Sequence, residues 1–283
     1  MLVYLNGKYI PRDQAFVSVD DRGFIYADGL YEVIRSYHGH LFLAAEHLQR
    51  LATGLNALRI RFDDPPGLEK IAQRLLTEND LLAKSALVYI QITRGMAFPR
   101  RHAFPLPEVA PTVYVATNPL LNNPENAKHG IAVITVPDIR WGRCDLKSTN
   151  LLANVLANQQ AVESGADEAI FVRDGIAVEG SRSSLFAVWE GTVYTHSHSE
   201  IMLPGITQQF VMQLCHEQGI PLAAKPIPVT RLRSAEELFI TQTTGEILPV
   251  IQIDGQKVAS GSPGPITHQL QQAFEQKIAR LGK

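Results

Sequence analysis

Residues 118–130 read "NPLLNNPENAKHG", an Asn- and Pro-rich stretch that interrupts two long tracts of apolar patterning. Proline removes a backbone donor and asparagine favours turns, so such a segment reads as a connection between folded parts. A chain of 283 residues has room for two cores, one on each side of it. The pattern predicts a small N-terminal domain over 1–118, a linker over 119–130 and a larger C-terminal domain over 131–283.

On the N-terminal side, Asn6-Gly7 in "LVYLNGKYI" signals a hairpin. "GLYEVIRSYHGHLFL" (29–43) reads as two strands around His38-Gly39, and "SALVYIQITRG" (85–95) and "PTVYVAT" (111–117) as further strands. Leu48, Leu51, Leu55 and Leu58 recur at helical spacing over 44–58, and 67–80 reads as a second helix. On the C-terminal side, the apolar run "IAVITVPDI" (131–139) leads through "WGRCDLKSTN" (141–150) to an expected amphipathic helix over 151–165. Short strands follow over 167–196, then a helix over 206–219, two strands over 237–255 and a helix over 267–282. Strands and helices are segregated, which predicts an α+β chain with mixed sheets.

Composition narrows the classes of function. A formal net charge of −2 gives no general electrostatic case for nucleic acid or anionic membrane. Two cysteines, Cys144 and Cys215, make no disulfide framework and no metal-ligand pattern. The start lacks a leader-like apolar segment and no run of 18 apolar residues occurs, so a soluble cytoplasmic protein is expected. No Gly-rich dinucleotide fingerprint appears.

Four features have chemical potential. Lys147 lies between an apolar strand and a helix, and a desolvated lysine, or one near a cation such as Arg143, is a nucleophile towards carbonyls. Its bland alternative is a solvated lysine before a helix capped by Asn150. Glu179 closes a strand in "DGIAVEGS", where it could face a cationic ring nitrogen or simply solvent. "LPGITQQF" (203–210) puts Gly205 before a helix opened by Ile206 and Thr207, a geometry suited to phosphate. "TQTTGE" (241–246) offers hydroxyls and amides at a strand end, or an ordinary turn. Together the four match the needs of pyridoxal 5′-phosphate: a Schiff-base lysine, a pyridinium partner and phosphate donors.

With "DRGFIYADGLYEV", "RCDLKSTNLLANVLA", "EGSRSSLF", "LPGITQ" and "TQTTGEILPV" in this order, the chain resembles the fold type IV pyridoxal-phosphate enzymes. That resemblance implies an α+β fold of two domains, with the cofactor in the cleft between them, and a homodimer. It implies Lys147 as the lysine that carries the cofactor and moves the proton, and Glu179 as the partner of the pyridine nitrogen. Arg50, Ile206, Thr207 and Thr243 correspond to phosphate contacts, and Leu203 to a residue packed on the ring.

"FPRRHAFP" (98–105) narrows the subfamily. In extended backbone Arg100 and His102 point one way and Arg101 the other, and an arginine with a histidine suits a carboxylate. The pattern, with Tyr31, resembles the carboxylate trap of D-amino acid aminotransferases, in which the Arg and His reach in from the partner subunit. The implied activity is two-stage transamination between D-amino acids, such as D-alanine or D-glutamate, and 2-oxo acids. Rival readings are an L-branched-chain aminotransferase, an (R)-amine transaminase, an aminodeoxychorismate lyase and a non-catalytic ligand-binding module. Ser184, Gln242 and Arg182 depart from the common family pattern and bear on substrate range.

Overall fold

The computed structural model describes residues 1–121 and 123–282. Backbone contacts divide the chain into two compact units, Met1–Leu121 with Leu146–Asn150, and Asn122–Asp145 with Leu151–Lys283. The expected boundaries at 118 and 131 therefore miss one exchange: the segment carrying Lys147 packs with the first unit, not the second.

The first unit contains β1 (Leu2–Leu5), β2 (Lys8–Pro11), α1 (Arg22–Tyr26), β3 (Gly29–Tyr37), β4 (His40–Leu41), α2 (Ala44–Ala57), α3 (Gly67–Glu78), β5 (Ala86–Thr93) and β6 (Thr112–Pro119). Among the described residues its strands form one six-stranded antiparallel sheet in the order β2-β1-β6-β5-β3-β4. Alternation sorts the faces. Leu30, Ile34, Val88, Ile90, Ile92 and Val115 point to one face and are buried under Leu48, Leu51 and Leu55 of α2 and Leu68, Leu75 and Leu76 of α3. Tyr31, Val33, Tyr89, Gln91 and Tyr114 lie half-buried on the other. Gly54 sets how closely α2 approaches β3, because a Cβ there would sit 2.8 Å from Leu30 Cδ1.

Leu146 explains the exchange of segments. It is buried in the core of the first unit, a burial worth about 2 kcal/mol. Backbone bonds from Tyr31 N to Lys147 O (2.9 Å) and from Thr149 N to Gly29 O (3.0 Å) hold the segment along the start of β3.

The second unit contains α4 (Pro124–His129), β7 (Ile131–Pro137), α5 (Leu152–Glu163), β8 (Glu168–Arg173), β9 (Ile176–Gly180), β10 (Ser184–Trp189), β11 (Thr192–Thr195), α6 (Ile206–Glu217), β12 (Leu222–Ala224), β13 (Ile227–Pro228), β14 (Glu237–Gln242), β15 (Glu246–Ile253), β16 (Gln256–Lys257) and α7 (Pro265–Ile278). Its strands run in the order β12-β11-β10-β14-β15-β7-β8-β9-β13, with β16 added to β15. The β7–β8, β7–β15 and β11–β12 pairs are parallel and the rest antiparallel, the mixed sheet that segregated strands and helices predict. Stacked Phe186 and Phe239, with ring centroids 4.8 Å apart, join β10 to β14, and the edge-on pair Phe210 and Phe274 at 5.1 Å joins α6 to α7.

Three local expectations need correction. The predicted linker contains α4, which Asn123 caps by accepting from Glu125 N; Pro124 is tolerated because a first-turn amide has no helical partner. Asn150 is not a cap, since α5 begins after Leu151 without a side-chain cap bond. Nor is α5 amphipathic about this unit: Ala157 and Ala161 are its buried residues, whereas Leu152, Val155, Leu156 and Val162 are 55–69% exposed.

Candidate active site

In the first unit the candidate residues lie on β3, α2 and the Leu146–Asn150 segment. Lys147 is half-buried, and its Nζ donates to the Tyr31 hydroxyl at 3.3 Å and lies 4.3 Å from the centre of that ring. Among the described residues no carboxylate pairs with it. Arg143, the cation expected beside it, is committed to Asp145 through bonds of 2.9 and 2.8 Å. Glu32, the neighbour of Tyr31, points to the opposite face and is fully buried. It accepts from His47 Nδ1 (2.8 Å) and from Arg50 Nε (2.7 Å) and Nη2 (2.8 Å). His47 and Arg50 stand three residues apart on α2, one turn along a single face. Burial opposes ionisation of Glu32, yet Arg50 and His47 prevail and hold the carboxyl down at about 2.

The substrate-facing expectation fell on Tyr31, Arg100 and His102. The Arg100 guanidinium lies 4.7 Å over the Tyr26 ring and His102 packs 5.3 Å from the same ring, so both turn to one side of an exposed loop. Within one chain, among the described residues, neither is hydrogen-bonded to Tyr31, whose hydroxyl takes Lys147.

In the second unit Glu179 is buried rather than solvated. Arg140 Nη1 donates to its Oε1 at 2.5 Å, and Leu203 N donates to both oxygens at 3.2 and 3.1 Å. Arg140 also grips Asp138 with Nε and Nη2, both at 2.9 Å, and Asp138 takes Arg173 at 3.0 Å. Burial pushes the Glu179 carboxyl up to about 7 against the opposing pull of Arg140 and the Leu203 amide. Arg140 is held protonated by the two carboxylates, which outweigh its own burial. Arg140 is the functional residue that motif reading missed; its signal was an Asp-x-Arg pair at the exit of an apolar strand, "VPDIR".

The same unit gathers donors around the start of α6. Ile206 and Thr207 open this helix after Gly205, and no side chain caps it, so its first amides and the positive end of its dipole remain available. Gly205 permits the approach of β10, because a Cβ there would lie 2.6 Å from Ser184 Oγ. Ser184 pairs with Thr241 across the sheet, and the Thr241 hydroxyl is buried without a partner. Thr243 lies in the turn just beyond it. A buried hydroxyl beside a helix start fits an oxyanion.

A model of the family described as "Amino-transferase class IV" matches residues 29–253. The chain belongs to the class IV amino-transferases. Among curated relatives, the D-alanine aminotransferase of Staphylococcus epidermidis strain RP62A is 40% identical over 277 residues, 98% of this chain and 97% of the relative. That of Bacillus licheniformis is 39% identical over 278 residues with the same coverage of both chains. Among solved structures, an Escherichia coli branched-chain amino acid aminotransferase superposes with a TM-score of 0.90 at 26% identity, covering 99% of this chain and 97% of that one. A T.th. branched-chain amino acid aminotransferase solved with pyridoxamine 5′-phosphate gives 0.87 at 28% identity, covering 98% and 93%. This class IV amino-transferase thus has the fold type IV architecture, and its cofactor is pyridoxal 5′-phosphate. The residues present fit that group: a lysine amine with no carboxylate partner among the described residues, a buried carboxylate for a ring nitrogen, and an uncapped helix start beside an orphaned hydroxyl. Arg182, a departure from the family pattern, is exposed 3.8 Å from buried Glu168, which anchors the Ser181 and Ser183 hydroxyls just after Glu179.

Proposed function

We propose that this class IV amino-transferase moves the amino group of D-amino acids, D-alanine foremost, to 2-oxo acids. The observation that carries the reading is Arg100-x-His102 exposed on its loop, in a chain about 40% identical over nearly its full length to D-alanine aminotransferases. Arginine binds a carboxylate through two parallel bonds and histidine adds a third donor. The likeness to branched-chain enzymes in the solved structures, at 26–28% identity, supports the fold more than the substrate.

Pyridoxal phosphate, when bound, supplies an electron sink for negative charge at the substrate α-carbon. Lys147 would hold the cofactor through its aldehyde, and its Nζ would carry the substrate α-proton. The Tyr31 hydroxyl, 3.3 Å from that nitrogen, orients it and joins Arg100 and His102 from a second copy of the chain in gripping the substrate carboxylate. Glu179 would hold the proton on the ring nitrogen, and Arg140 opposes the burial that favours the neutral form of Glu179. Leu203 supports the ring and orients Glu179 through its amide. Arg50, Ile206, Thr207 and Thr243 hold the phosphate, with Glu32 aiming Arg50.

The protein acts as a homodimer. Leu152, Val155, Leu156 and Val162 along α5, and Phe98 (83% exposed) and Leu106 (95%) on the Arg100 loop, are apolar side chains that a second copy would cover. Cys144 and Cys215 are free thiols, which supports a reducing cytoplasm.

The deciding experiment offers D-alanine, D-glutamate, L-leucine and (R)-1-phenylethylamine, each with pyruvate and 2-oxoglutarate. D-alanine or D-glutamate should turn over at least about 100-fold faster than the other two donors. Faster turnover of L-leucine would overturn the substrate reading. Borohydride reduction should fix the cofactor to Lys147, and Lys147→Ala should be without turnover; an active variant would overturn the mechanism.

A further inference from the structure

The stretch "DRGFIYADG" (21–29) has no part in the chemistry above, yet it carries a buried charge cluster. Asp21, 1% exposed, accepts from the hydroxyls of Thr93 (3.0 Å) and Thr112 (2.6 Å) and caps α1 through Gly23 N (2.8 Å). Its neighbour Arg22, 4% exposed, donates from Nε to Asp28 at 2.8 Å. The rest of that guanidinium is spent on main chain: Nη1 donates to the carbonyls of Arg101 (2.6 Å) and Ala103 (3.3 Å), and Nη2 to that of His102 (3.2 Å). Arg94 holds the other side of Asp28 at 2.8 and 2.9 Å, donates to the carbonyls of Leu58 and Arg59, and lies 3.7 Å over the Phe104 ring.

Two arginines thus share one carboxylate, and the surplus positive charge is met by carbonyl dipoles. Removing a cation from water is expensive unless such partners are in place. The loop thereby held has no regular secondary structure and its side chains are largely exposed. Its backbone is nonetheless gripped at three consecutive residues by a buried, rigid fork. Those residues surround His102 and follow Arg100, and the Tyr26 ring that receives both also receives Arg22 at 4.8 Å.

We propose that Arg22, backed by Asp28 and Arg94, is the positioning residue of the carboxylate-gripping loop: it fixes the backbone of residues 101–103 so that Arg100 and His102 are aimed before substrate arrives. The inference rests on the assignment of Arg100 and His102 as the grip. Pre-aimed groups bind without paying to be ordered, and a misplacement of about 1 Å is enough to weaken them severely.

The test is steady-state kinetics of the holoenzyme with D-alanine. Arg22→Met raises KM about tenfold, holds kcat within about threefold and leaves the bound-cofactor absorbance in place. Arg22→Lys, which keeps the charge but cannot bridge three carbonyls, gives a smaller rise in KM. Added to Arg100→Ala/His102→Ala, Arg22→Met raises KM by less than about twofold, because nothing remains to be aimed. An Arg22→Met enzyme with lowered kcat at unchanged KM, or with the same KM factor in both backgrounds, overturns the proposal. If Arg22→Met does not fold, Arg22→Lys decides by the same comparison: a KM rise of about threefold confined to the intact Arg100/His102 background supports the proposal, and an unchanged KM or the same rise in both backgrounds overturns it. If Arg100→Ala/His102→Ala itself leaves the D-alanine KM unchanged, the grip assignment has failed and the role of Arg22 falls with it.

Discussion

Replacing Glu32 with glutamine keeps the side chain's size and deletes the one negative charge between His47 and Arg50. The carboxyl sits at about 2 in the folded chain against an ordinary 4.5. A depression of roughly 2.5 units corresponds to about 3 kcal/mol of folding stability. Because the folded value is the lower one, this stability is fully present above pH 4.5 and is lost as pH falls through about 2. Breaking a buried ion pair by removing one partner costs about 3–5 kcal/mol, so the two routes to the magnitude agree. Urea unfolding of wild type and Glu32→Gln in cofactor-free form, at one protein concentration, should show a gap of about 3 kcal/mol at pH 7 that narrows to roughly 1 kcal/mol at pH 3. Equal gaps at the two pH values would refute the argument, because a loss that ignores Glu32 protonation is not the loss of its charge. A gap near zero at pH 7 would refute it too, since Arg50 and His47 would then manage without a counter-charge.

Two further outcomes test other parts of the molecule. Arg140→Met removes the cation that opposes burial of Glu179, so the carboxyl rises beyond about 7 and is protonated at neutral pH; the acid limb of kcat should move to higher pH, and an unmoved limb would refute the pairing. Leu146→Ala should cost about 2–4 kcal/mol of stability and slow turnover, measured by denaturation and initial rates, because the same side chain roots the Lys147 segment in the core of the first unit.

Much of the chain could be read locally. The strand over 131–137 and the helices that start near 44, 67 and 206 follow from spacing of apolar residues, and the hairpin at Asn6-Gly7 from turn chemistry. Where local reading failed, a distant partner decided. Local reading left Glu179 facing either a ring nitrogen or solvent, and the second unit buries it and pairs it with Arg140. Helical spacing predicted an amphipathic helix over 151–165, yet α5 leaves Leu152, Val155 and Leu156 exposed on its own unit and buries Ala157 and Ala161. Arg143 looked like a cation for Lys147, and a carboxylate two residues away claimed it.

By itself the order of residues determined the elements, the family and the kind of chemistry, because periodicity, turn propensity and motif spacing act over a few residues. Only tertiary structure decided that Leu146–Asn150 leaves its sequence neighbours to lie along β3, that Glu32 meets His47 and Arg50 across 15 and 18 residues, and that Arg22 holds carbonyls 79 to 81 residues away. Each is a pairing of buried charges or backbone groups, and its strength comes from exclusion of water, a property of the packed interior that no short window of sequence possesses.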